Sequence, residues 1–138
     1  MKDQKGFTII ELIVVVAIIA VLSAIVSSDV IQYKKKGNDA AIKAQMNQIR
    51  SAATDYFFDP QGGNNAYTGM CATGTLCFNA KNNILSNLGG TISAKILQNS
   101  YCISSTLSDG TSKWCVDNTG YSGSEDYCIV PPYSCTGS

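Results

Sequence analysis

The chain has 138 residues, enough for one modest core, and its ten basic and ten acidic residues cancel. That balance, with Lys34, Lys35 and Lys36 as the one concentrated basic run, excludes the electrostatic footprint of a nucleic-acid binder. No histidine is present, so a histidine base and a histidine-bearing metal knuckle are both excluded.

From Phe7 to Val26 twenty residues are apolar except Thr8, Glu11 and Ser23. At ~1.5 Å per residue this is about 30 Å of helix, the depth of a bilayer's hydrocarbon core. A secretory signal would carry only about 7 to 15 apolar residues, would lack Glu, and would end in a small-x-small site that Ser23 to Ser28 imitates poorly. An ordinary anchor would avoid the carboxylate, because an acid at mid-bilayer costs roughly 2.5–3.5 kcal/mol. Glu11 therefore implies a partner. It lies four residues, about 6 Å of helix, from Phe7. A cut after Gly6 would place the new α-amine of Phe7 near the depth of that carboxylate. The two charges could neutralise each other within a helix, or between helices, where the pairing would set the register of one subunit against the next.

The leader MKDQKG, short, charged and ending in Gly6, followed by FTIIEL and the long apolar run, closely resembles the amino-terminal signature of type IV pilins and of the related pseudopilins of type II secretion. The resemblance implies cleavage between Gly6 and Phe7 by a prepilin peptidase, N-methylation of Phe7, and a part for Glu11 with Phe7 in filament assembly. It implies other copies of the chain in a helical filament as partners, with the assembly machinery of the cytoplasmic membrane and the lipid bilayer before assembly. The motif covers about the first 26 residues, and residues 23–30, SAIVSSDV, hold no proline where many family members carry one. Lys2 and Lys5 against Asp3 favour a cytoplasmic amino terminus, whereas Lys34 to Lys36 weigh the other way. The cysteines decide for a head outside the cytoplasm.

Beyond Ser28 helix-forming residues continue, and Ile42, Met46, Ile49, Ala53 and Tyr56 recur at steps of four and three, drawing one apolar stripe suited to packing against a head. Gly37 is a weak point in one long helix, with Asn38 or Asp39 as alternative caps of a second. Asp59-Pro60 followed by Gln61-Gly62-Gly63 ends it. The expected organisation is a leader (1–6), a transmembrane and filament-core helix (7–28), an amphipathic helix (29–59) and a small disulfide-stabilised head (60–138). The fold class is α+β and pilin-like, with the long helix packed on a small antiparallel sheet.

Cys71, Cys77, Cys102, Cys115, Cys128 and Cys135 all lie in the second half, spaced without a CxxC knuckle, which reads as a disulfide framework of an oxidising compartment and not as zinc. Tyr101 to Leu107 and Lys113 to Asp117 flank Ser108-Asp109-Gly110 as a hairpin. With a four-residue loop Cys102 would face Cys115, and nearest-neighbour pairing would add Cys71 to Cys77 and Cys128 to Cys135; fifteen pairings are open. Asp117, Glu125 and Asp126 share a Gly/Ser-rich region and are weak calcium candidates by analogy with pseudopilin heads, without EF-hand spacing. Tyr121, Tyr127 and Tyr133 suit either core or an adhesive surface. No catalytic constellation is found. The reading is a filament subunit, first a single-pass membrane protein and then extracellular. A secretion pseudopilin and a secreted disulfide-rich binding module behind an atypical signal peptide stand as alternatives.

Overall fold

The computed structural model describes residues 6–124, 128 and 133–135, the side chains of residues 27 and 28 apart. The chain divides into two compact units, Met1–Lys34 and Lys35–Ser138. Helix α1, Ile9–Phe58, contributes to both.

In the first unit the described apolar side chains from Phe7 to Val26 are all exposed, from about half to four-fifths of their surface. Such an all-round apolar helix is suited to lipid or to other helices. This stretch of α1 is long and apolar enough to cross a membrane.

The second unit buries the predicted stripe. Ile42, Met46 and Ile49 are fully enclosed, Ala53 nearly so, and Tyr56 is half-buried against the same core. Full burial contributes about 1.5–3 kcal/mol for each large side chain. Gly37 does not interrupt the helix. Asn38 and Asp39 cap nothing; their side chains reach into the head instead. The Asn38 amide donates to the Leu88 carbonyl at 3.3 Å, and Asp39 Oδ1 accepts from Ser108 N at 2.8 Å and Ser108 Oγ at 2.7 Å. These bonds tie residues 88 and 108 of the head to the continuous helix. The helix ends at Phe58, where the Asp59 carboxylate accepts from Gln61 N at 2.9 Å and Gly63 N returns to the Tyr56 carbonyl at 2.9 Å. A Cβ on Gly63 would meet that carbonyl oxygen at 2.6 Å, so a glycine is needed there.

Next comes a helix absent from the sequence reading, α2, Leu76–Asn83, with Thr75 as its N-cap: the Thr75 hydroxyl accepts from Phe78 N at 3.2 Å. A single π-helical turn, Ile84–Leu88, follows and closes at Gly89, whose φ of 76° suits glycine. Cys77, Ala80, Ile84 and Leu88 point this segment's apolar side at the core. Four antiparallel strands complete the head in the order β1 (Ile92–Ile96), β2 (Tyr101–Thr106), β3 (Lys113–Asp117) and β4 (Ser122–Gly123).

Strand β2 is buried on both faces, and its alternation divides two layers. Tyr101 and Ile103, with Val116 and Trp114 of β3, join the α1 stripe, whereas Cys102 and Cys115 join a second core made of four cysteines. The β2–β3 hairpin forms as expected, but residues 107–112 connect it, so Ser104 and not Cys102 stands opposite Cys115. Asp109 shapes this loop. Its carboxylate accepts from Thr111 N at 2.9 Å, from Ser112 N at 2.8 Å and from the Ser112 hydroxyl. These bonds lower its pKa to about 2, the Ser112 hydroxyl contributing most.

The disulfides are Cys71–Cys77, Cys102–Cys128 and Cys115–Cys135, with Cα separations of 4.8, 5.6 and 5.8 Å. The first is the pairing expected; the nearest-neighbour pairings of Cys102 with Cys115 and Cys128 with Cys135 are not found. The longer loop sets Cys102 and Cys115 diagonally across the strands, and each bonds a cysteine of the carboxy-terminal segment. Loops of 26 and 20 residues are closed, each stabilising by roughly 3 kcal/mol on chain-entropy grounds.

Candidate functional site

At the amino-terminal end of α1 the residues singled out by sequence lie together. Gly6, Phe7, Thr8 and Glu11 are exposed. Thr8 precedes the first helical residue, Ile9. Its hydroxyl accepts from Glu11 N at 3.3 Å, while Glu11 Oε2 accepts from Thr8 N and from the Thr8 hydroxyl, each at 2.8 Å. This is a capping box, in which the first-turn backbone donors and the Glu side chain satisfy one another. The signal for this cap is the Thr-x-x-Glu spacing within FTIIEL, which the sequence reading does not use. The cap gives Glu11 a partner within its own turn and fixes its carboxylate beside the backbone nitrogen next in sequence to Phe7. Residues 1–5 of the leader lie outside the described residues.

Of the acidic candidates in the head, Asp117 lies among the described residues. The Asp117 side chain is fully buried and already engaged: Oδ1 accepts from Thr119 N at 2.9 Å, Thr119 Oγ1 at 2.6 Å and Tyr121 N at 3.3 Å, and Oδ2 accepts from Cys135 N at 2.7 Å. It organises the turn after β3 and ties Cys135 to the sheet. Glu125 and Asp126 lie outside the described residues, as does Tyr127. Tyr121 and Tyr133 are half-buried against the four-cysteine core. Other contacts fasten the β3–β4 turn to α1. Arg50 Nη1 donates to the Gly120 carbonyl at 2.6 Å, Ser122 Oγ donates to Asn47 Oδ1 at 2.8 Å, and Lys43 Nζ lies 4.8 Å from the centre of the Trp114 ring.

Among the described residues, a Thr-x-x-Glu cap opens an apolar helix whose later turns pack into a disulfide-bonded antiparallel head. A family model, the prokaryotic N-terminal methylation motif, matches residues 1–27. The type IV wide pilus major component PilA4 of Thermus thermophilus is 33% identical over 111 residues, 80% of this chain and 79% of that relative. The type IV major fimbrial protein FimA of Dichelobacter nodosus is 33% identical over 73 residues, 53% of this chain and 47% of that relative. No solved structure matches the chain. The chain belongs to the type IV pilin family.

Proposed function

We propose that the chain is first held in the cytoplasmic membrane by the apolar stretch of α1, is cut between Gly6 and Phe7 by a prepilin peptidase, is methylated on Phe7, and then polymerises with copies of itself into an extracellular filament. The pilus assembly machinery of the membrane is the further partner this scheme needs. The observation that carries it is Glu11, one carboxylate at the start of an exposed apolar helix, inside the matched methylation motif.

The chemistry follows from charge. Before cleavage the carboxylate is satisfied by Thr8 alone among the described residues. Cleavage creates an ammonium at Phe7, one residue from the Thr8 nitrogen, and an ammonium neutralises a carboxylate in oil more completely than neutral donors do. When subunits exchange lipid for neighbouring helices, an ammonium of one copy facing Glu11 of the next fixes their axial register. Removing one partner of a buried ion pair costs about 3–5 kcal/mol, or at least a hundredfold in an association constant. Glu11→Ala is therefore expected to leave the amount of protein in the membrane fraction unchanged while filament yield falls by about a hundredfold or more. Filaments at normal yield from this variant would overturn the reading.

A further inference from the structure

Cys102, Cys115, Cys128 and Cys135 form a core of their own on the sheet face opposite α1. Two bonds join them, yet the sulfurs of different bonds also touch. Cys102 Sγ lies 3.3 Å from that of Cys115 and 3.7 Å from that of Cys135, and Cys115 Sγ lies 3.6 Å from that of Cys128. The register is the cause: Cys102 pairs with Asp117 and Ser104 with Cys115, so the two strand cysteines share one face as diagonal neighbours. Disulfides rearrange by thiolate attack on a disulfide sulfur, and such attack requires access and approach. Here the approach is built in.

We propose that these four sulfurs are a thiol–disulfide exchange centre that takes a dithiol as its substrate and redistributes one disulfide among four positions. Cys128 is the least buried of the four, 7% exposed where the other three are at 0%, so an incoming thiolate meets it first. Attack there forms a mixed disulfide on Cys128 and expels Cys102 as a thiolate. The second sulfur of the dithiol displaces Cys128, and the reagent leaves as a cyclic disulfide, having given up two electrons and two protons. The Cys102 thiolate turns about its Cα–Cβ bond and attacks Cys115. The Cys102–Cys115 bond forms, the Cys115–Cys135 bond breaks, and Cys135 leaves with the electron pair and takes up a proton. Cys128 and Cys135 are then thiols, no longer bonded to the sheet. Asp117 still holds the Cys135 nitrogen, keeping that residue in place for the reverse step. Cys71–Cys77 serves as an internal control, because Cys77 packs in the other core.

The test uses the folded full chain and less than one equivalent of tris(2-carboxyethyl)phosphine. This reagent opens a disulfide, becoming its oxide with oxygen from water, and adds no thiol of its own. After acid quenching and alkylation, mass spectrometry maps the bonds in chains that keep one disulfide among the four cysteines. The expected result is that Cys102–Cys115, Cys102–Cys135 or Cys115–Cys128 occurs alongside the original pairs. Four results overturn the proposal: only the original pairs in those chains, loss of both bonds with no one-disulfide chain, both bonds untouched while Cys71–Cys77 opens, or equal crossing to Cys71 and Cys77.

Discussion

The two halves of α1 are both rich in apolar residues, yet they put them to different uses. From Phe7 to Val26 the apolar side chains surround the helix and stay exposed; from Ile42 to Ala53 they form one stripe, fully covered by the head. Periodicity separates the two. A stripe at steps of four and three has one partner, and this chain supplies it. An all-round surface stays exposed among the described residues and is suited to lipid or to helices of other copies. The first half thus keeps an apolar surface suited to assembly, and the second half owes its apolar residues to folding.

Matched substitutions in the two halves break this comparison most sharply. Ile49→Ala is expected to lower head stability by about 2–5 kcal/mol in chemical denaturation of the detergent-solubilised chain, whereas Ile18→Ala shifts it by less than about 0.5 kcal/mol. Equal losses would mean that the membrane half also supports the head. Asp117→Ala is expected to cost about 3 kcal/mol by the same measurement, since buried donors from Thr119 and Cys135 lose a charged acceptor.

Gly37→Ala works in the opposite direction. A Cβ at this exposed helical position meets nothing within 4 Å, so a gain of about 0.5–1 kcal/mol is expected from helix propensity and lost freedom of the unfolded chain. Asp109 supplies the smallest effect. Its pKa in the fold, about 2, lies below the ordinary aspartate value. Its stabilisation is therefore present above about pH 4 and is lost as pH falls toward about 2. Asp109→Asn is expected to flatten the stability profile in that window and to leave it unchanged near neutrality in slope, which denaturation at a series of pH values measures.

The parts of the fold that rest on local period were legible in the sequence. The Ile42, Met46, Ile49 and Ala53 stripe is written in spacing, and the β2–β3 hairpin in alternation about the Ser108-Asp109-Gly110 turn. Helix α2 was hidden because LCFNAKNN is rich in asparagine; its signals were Thr75 as a cap, Cys77, Ala80, Ile84 and Leu88 at helical steps, and Gly89 as a stop. The carboxy-terminal disulfides depend on which cysteine the tail delivers to a shared sheet face, and no spacing rule encodes that. A loop two residues shorter than the one formed by residues 107–112 would place Cys102 opposite Cys115. At the amino terminus the charge of Glu11 stands out in an apolar run, whereas its cap with Thr8 rests on the less conspicuous local pattern Thr-x-x-Glu. Asp117, a calcium candidate by its neighbours in sequence, accepts backbone hydrogen bonds from Thr119, Tyr121 and Cys135, partners that only the fold brings to it.

The most direct test of the pilin account is intact-mass and amino-terminal analysis of the chain purified from filaments. The account predicts that it begins at Phe7, carries one methyl group on that nitrogen and lacks the residues through Gly6. Filaments built from chains that retain the leader would contradict it, because the Phe7 nitrogen would then be an amide, with no α-ammonium there to meet Glu11.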